Sequence, residues 1–270
     1  MSGARDPEYV AARRVLLDAL EALVAHRDAL VLVGAQAIYL WAGEADLAVA
    51  PYTTDADLAI DPIALASAPT LAEAMTGAGF VAGAQPGIWV AAGNVQVDLL
   101  VPESLGGAGR RGARLGTHGN QAARKARGLE AALVDNARLT IEPFEVGDSR
   151  TLELRVAGPA ALLVAKLHKL GERSHAAPDR LQDKDALDVL RILRATDAAA
   201  LAGTMRSLLA DRRSAEATGV ALAFLVDLFD TPDASGSRMA ARAASPLEDE
   251  ETIAASVSAL AGDLRAELEV

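Results

Sequence analysis

The chain has 270 residues, 51% of them apolar but only 3% aromatic, so its core must be built from Ala, Leu and Val and is large enough for one domain or two. It has no cysteine, which excludes disulfides and thiolate metal sites and fits a cytoplasmic protein. A net charge of −11 excludes a protein that coats nucleic acid through a generally basic surface, so any such contact must be local.

The opening segment MSGARDPEYVAARR lacks the apolar stretch of a signal peptide. The apolar run 29–43 is shorter than the roughly 18 residues that a membrane span needs, so a soluble protein is expected. Val10, Val15, Leu16, Leu20, Leu23 and Val24 recur at helical spacing, which predicts an amphipathic helix over 6–26. Leu30 to Val33 reads as an apolar strand, Gly34-Ala35 breaks it, and 36–41 begins a short helix. Thr53 to Ile60 alternates polar and apolar residues, the pattern of a half-buried strand, and Asp61-Pro62 ends it. A short helix is expected over 70–78, started by Pro69 or Thr70 and ended by Gly77 and Gly79.

Phe80-Val81, Ile88 to Val90 and Val95 to Val101 are separated by turn signals at 85–87 and 93–94, which predicts a meander. The Gly-rich basic stretch 103–119 reads as an extended or mobile loop, 121–134 as a helix, and 139–144 and 152–156 as strands. Gly158-Pro159 is the strongest boundary signal, because Pro159 suits the first turn of a helix. It divides the chain into domains 1–157 and 158–270. Beyond it only helical patterns follow, at 159–171, 179–195, 197–210, 213–230 and 247–268, with 231–246 as a flexible connection.

Asp55 and Asp57, two apart on a strand, share one face at roughly 6–7 Å. Carboxylates held so close repel unless a cation lies between them, and Mg²⁺ binds through one or two carboxylates plus substrate phosphates. Gly34 permits close backbone approach, and the amides of Ala35, Gln36 and Ala37 at a helix N-terminus suit a phosphate. Asp98 would complete a three-carboxylate cluster if its strand lies beside 55–60; otherwise it is an edge-strand acid facing water. Arg110, Arg111, Arg114, Arg124, Lys125 and Arg127 form a basic run without acids, either a solvated face or a surface for a polyanion.

Gly34-Ala35, the short helix and Thr54-Asp55-Ala56-Asp57-Leu58 resemble the core of the polymerase-β-like nucleotidyltransferase superfamily, and within it the AbiEii/MenT group of toxin-type enzymes. The likeness covers most of 25–195. It implies an α/β fold, with a small mixed β-sheet nucleotidyltransferase core followed by a helical C-terminal domain. It also implies Mg²⁺ or Mn²⁺ bridged by Asp55 and Asp57, with Asp98 as the third acid, holding the catalytic ion and helping to take the acceptor's proton. An NTP is the implied substrate, with Gly34, Ala35 and Gln36 at its phosphates. The family usually has Gly-Ser or Gly-Gly where this chain has Gly34-Ala35, and Gln36 is the residue placed to stand in for the missing hydroxyl.

Lys166 matches a phosphate-contacting lysine of the toxin group. Asp183-Lys184-Asp185-Ala186-Leu187-Asp188-Val189-Leu190 resembles the family's [R/K]-D-x-x-D-L motif, with Asp185 and Asp188 on one helix face. The pair either orients Lys166, contacts the nucleotide, or pairs on the surface with Lys184, Arg191 or Arg194. The implied activity is transfer of a nucleoside monophosphate from the NTP to a hydroxyl of a tRNA 3′ end or a protein side chain. The implied role is the toxin of a toxin–antitoxin or phage-defence pair with a cognate antitoxin. Two alternatives stand beside it: a small-molecule (aminoglycoside-like) nucleotidyltransferase, suited by the negative charge, and a non-catalytic nucleotide-binding module, suited by the missing hydroxyl.

Overall fold

A computed structural model describes residues 6–43 and 47–269. Helix α1 (Pro7–Ala22) begins where Asp6 accepts the Glu8 N–H at 2.8 Å and Pro7 occupies the first turn. A 3-10 turn, Val24–Ala29, carries the chain into β1 (Leu30–Val33), whose four residues are all buried. Helix α2 (Gly34–Ala42) follows without a loop, and β2 (Asp55–Ile60) returns antiparallel to β1, with Val33 opposite Asp57. Thr70 and Glu73 form a capping box at the start of α3 (Leu71–Gly77).

The expected meander follows as β3 (Val81–Ala82), β4 (Ile88–Val90) and β5 (Gln96–Pro102), paired antiparallel in succession. The helix expected over 121–134 does not form. Its place is taken by β6 (Arg124–Ala126) and a 3-10 turn, Ala131–Leu133. The cause is tertiary: β4 pairs with β5 only at its start, 96–98, and β6 takes the same edge over Leu100 to Pro102. Gly128, at φ +75°, then interrupts any helical path. An alanine-rich composition yields to a sheet edge that needs a partner.

With β7 (Asn136–Ile141) and β8 (Leu152–Ala157), the described residues form one eight-stranded mixed sheet in the order β3-β4-β5-β2-β1-β8-β7, with β6 beside β5. The sheet is larger than the small one expected. Central strands β1, β2 and β5 are apolar over most of their length, and α1 packs on β2 and β5.

The helices after the sheet are α4 (Pro159–Ala176), α5 (Asp183–Ala195), α6 (Ala198–Ala210), α7 (Ala215–Phe229), α8 (Ser235–Ala244) and α9 (Glu250–Leu268). Helix α8 corrects the flexible connection expected over 231–246. Its Gly, Ser and Ala content resembles a linker, but Met239, Ala240, Ala241 and Ala244 are buried where α8 packs on α5 and α9. Arg242 fixes it with two hydrogen bonds to Asp183, at 2.9 and 2.8 Å.

The chain divides into two compact units: 1–36, 52–126 and 136–157 in the first, and 37–51, 127–135 and 158–270 in the second. One border coincides with the sequence boundary at 157/158; the segments 37–51 and 127–135 have no counterpart in the sequence division. No helix among the described residues is long and apolar enough to cross a membrane.

Two glycines test the helical packing in opposite directions. A Cβ on Gly236 would lie 2.7 Å from the Leu228 carbonyl and the Phe229 ring, whereas one on Gly219 of α7 would meet nothing within 4 Å. Gly236→Val is expected to destabilise the protein by about 1–3 kcal/mol. Gly219→Ala is expected to stabilise it by about 0.5–1 kcal/mol. Urea unfolding followed by circular dichroism measures both.

Candidate functional site

In the first unit, parallel pairing of β2 with β5 sets Asp57 level with Asp98, and Asp55 level with Gln96. Register partners on adjacent strands share a face. Asp55, Asp57 and Asp98 therefore lie on one face of the sheet, with Ala56 and Val97 buried on the other. All three carboxylates are half-buried, because both strands are fully covered only farther along, beyond Leu58 and Leu99.

Gly34 sits against this face. Its φ is +71°, and a Cβ there would overlap Asp57 Oδ2. Any other residue would have to push the carboxylate aside as well as strain the backbone. The sequence signal at Gly34 thus has a concrete cause: the first turn of α2 starts in contact with Asp57.

Neighbours distinguish the three acids. Asp55 Oδ1 accepts from the buried Thr53 hydroxyl at 2.5 Å. Asp98 Oδ2 is ion-paired with the Arg124 guanidinium, while Asp98 Oδ1 is buried with no hydrogen-bond partner. Arg124 was singled out in the sequence only as part of a basic run. That run is not one surface: Arg124 turns to Asp98, Lys125 donates to the Gly107 carbonyl at 3.1 Å, and Arg127 pairs with Glu172 at 3.7 Å. Arg110, Arg111 and Arg114 remain exposed.

Gln36 is committed elsewhere. Its amide accepts from Arg13 Nε at 2.9 Å and donates to the carbonyls of Ala12 and Asp55, at 3.2 and 3.0 Å. Arg13 also donates to the Glu142 carbonyl at 2.9 Å and lies 4.2 Å from the Phe144 ring centre. The Gln36 side chain therefore ties α1 to the start of β2, and the geometry lends no support to the phosphate contact expected of it. Ala35 is buried beside it.

A divalent ion that takes one or two carboxylates and completes its shell with substrate phosphates fits this donor set. Its marks are two acids at one level, the unpartnered Asp98 Oδ1, and the space that Gly34 leaves beside Asp57. An ion enclosed by protein alone does not fit, since no three carboxylate or imidazole groups among the described residues converge closely enough to hold one.

The second unit holds Lys166, Asp185 and Asp188. Lys166 of α4 is buried and donates to Asp185 and Asp188 of α5, at 2.7 Å each. Lys169 donates to Asp185 at 2.8 Å, and Arg173 approaches it at 3.6 Å. Tyr39 donates to Asp188 at 3.4 Å, and the Arg191 guanidinium lies 5.5 Å from the Tyr39 ring centre. Of the partners the sequence leaves to the two acids, the geometry displays Lys166, and Arg191 Nε also lies 4.0 Å from Asp188. Both ammonium contacts are carboxylates.

Burial by itself would lower the Lys166 pKa, but the charges of Asp185 and Asp188 outweigh it and hold the ammonium above its ordinary range. Burial would likewise raise Asp185, yet Lys166 and Lys169 hold it well below the usual carboxylate range. Asp135, which the sequence did not single out, starts the helix that carries Lys166. It accepts the Ala161 N–H at 2.9 Å, and burial raises its pKa. A Cβ on Gly158 would overlap the Asp135 carboxylate, so the glycine at this boundary serves the cap.

Comparison of the chain with protein-family models, with curated proteins and with solved structures finds no match.

Lys166→Met, which takes the buried ammonium from two buried carboxylates and leaves them Lys169 and Tyr39 as donors, is expected to cost about 3 kcal/mol. A depressed Asp185 contributes stability above the ordinary carboxylate pKa and loses it as pH falls. A raised Lys166 contributes below the ordinary lysine pKa and loses it as pH rises. The gap between wild type and Lys166→Met should therefore be full between pH about 4 and about 10 and shrink on acidification below that window. Urea unfolding across pH measures it.

Proposed function

We propose that the chain is a nucleotidyltransferase, moving a nucleoside monophosphate from an NTP to a hydroxyl acceptor. The observation that carries this reading is the pairing of Asp57 with Asp98 at one level of the sheet, with the first turn of α2 against Asp57 through Gly34. In the reaction the acceptor oxygen bonds to the α-phosphorus, the bond to the β-phosphate oxygen breaks, and pyrophosphate leaves. Asp98 Oδ1, buried and without a partner, is the oxygen suited to take the acceptor's proton. Amides of the α2 first turn would bind phosphate oxygens, helped by the helix dipole.

Asp57 and Asp98, with Asp55 beside them, would hold Mg²⁺ or Mn²⁺, which supplies neutralising charge to the phosphates and a lowered pKa to the attacking hydroxyl. Lys166, Asp185 and Asp188 enter as the internal brace of the second unit. The resemblance in 25–195 supports a tRNA 3′ end or a protein side chain as acceptor, and a toxin with a cognate antitoxin. Exposed Arg110, Arg111 and Arg114 suit a polyanionic acceptor in an otherwise acidic chain.

A second reading, a nucleotide-binding module without catalysis, is favoured by one contact: Arg124 already neutralises Asp98. Label transfer separates the two. Purified protein with Mg²⁺, each α-labelled NTP in turn and cellular RNA plus protein should label a discrete RNA or protein band. Asp57→Asn should lower the rate by about 10²-fold or more. Metal-dependent NTP binding without label transfer to RNA, protein or an aminoglycoside would favour the module, and absence of NTP binding as well would overturn both.

A further inference from the structure

The carboxylate face carries a cation of its own. Leu100 of β5 is the register partner of Arg124, and it lies two residues beyond Asp98, so Arg124 projects from the same face as Asp98 and Asp57. Its position is built rather than incidental. Arg124 pairs with β5 on one side and bridges to Gly112 on the other. Gly87, at φ +80°, lets the Arg124 backbone pass within 2.6 Å of where a Cβ would stand. Trp89 Nε1 donates to the Ala122 carbonyl at 3.0 Å, fixing the approach to the strand.

The backbone is thus held on both sides, and the guanidinium reaches from it to a partly exposed carboxylate. Among the described residues, Nη2 meets Asp98 Oδ2, the Arg124 side chain is one-third exposed, and Asp98 Oδ1 has no hydrogen-bond partner. A fork-shaped donor that engages one oxygen of a carboxylate is neither the strongest pairing available to it nor a buried one.

We propose that Arg124 is a built-in stand-in for the divalent cation of the Asp57–Asp98 site, covering Asp98 while no ion is bound and withdrawing when one arrives. The proposal rests on the metal-site reading of those two acids. Two like charges at one level of adjacent strands need a counter-charge in either state. With Arg124 on Asp98, an ion must displace a guanidinium, so the free protein should bind metal weakly without a nucleotide to bring further ligands.

The test is Mn²⁺ binding to the full chain, without nucleotide, measured by calorimetry and by the electron paramagnetic resonance of free Mn²⁺. Arg124→Met should tighten the Kd about tenfold, a coupling of the size expected for one close charge. Arg124→Lys, which keeps a charge but not the fork, should tighten it less. In an Asp98→Asn background, where the pairing is gone, Arg124→Met should change nothing. Equal Kd values for wild type and Arg124→Met would overturn the stand-in and leave the metal site standing, and weaker binding by the variant would also overturn it. Absence of Mn²⁺ binding by any folded form would remove the metal site and the proposal together. Should Arg124→Met fail to fold, the side-chain NMR signals of Arg124 in wild type serve instead: they should shift as Mg²⁺ is added, and constancy while Mg²⁺ binds would overturn the idea.

Discussion

Strand register imposes the constraint on which the first unit turns. Once β2 runs parallel to β5 with Ala56 against Val97 and Leu58 against Leu99, Asp57 and Asp98 have no freedom to stand apart. Burying the apolar residues of both strands holds two carboxylates roughly 5 Å apart, the spacing of neighbouring strands. A one-residue slip would relieve the repulsion only by turning every apolar side chain to the wrong face. Sheet stability and the charge problem are therefore one feature, and the surroundings of the pair answer it. Gly34 gives Asp57 room, Thr53 donates to Asp55, and Arg124 covers Asp98.

The second unit answers a similar problem differently. Lys166 and the two acids of α5 are sealed from water and hydrogen-bonded to one another, with Lys169, Arg173, Arg191 and Tyr39 around them. Such a cluster is costly to break from one side and fixes the relative placement of α4 and α5. Both acids of the Asp57–Asp98 pair are half-buried, and Asp98, covered by Arg124, has one carboxylate oxygen without a hydrogen-bond partner among the described residues. A carboxylate pair on a half-exposed face suits a ligand; a cluster sealed from water suits a brace.

Much of this was legible in the sequence because period is a local property. Alternation over 53–60 gave β2, the turn signals gave the meander, and the aspartates at odd positions fell on one face by counting. Gly34 could be marked as special, although the reason, contact with Asp57, needed the fold. The failures share a different origin. Residues 121–134 look helical, and only the vacant edge of β5 makes Arg124 to Ala126 a strand. Arg124 was consequently read as one member of a basic run when its strand position aims it at Asp98. Residues 231–246 read as a linker because small residues serve close helix packing as well as flexibility. Gln36 looked available for phosphate because nothing local shows that Arg13 and the carbonyls of Ala12 and Asp55 engage it. Lys166 carried a usable signal, two acids three apart downstream, but its burial did not.

Anomalous diffraction from crystals grown with Mn²⁺ and a non-hydrolysable NTP analogue tests the central claim most directly. A manganese peak should touch the carboxylates of both Asp57 and Asp98, with Arg124 withdrawn from Asp98 and no peak among Lys166, Asp185 and Asp188. Arg124 still bonded to Asp98 under saturating metal and nucleotide, with no manganese on that face, would contradict it.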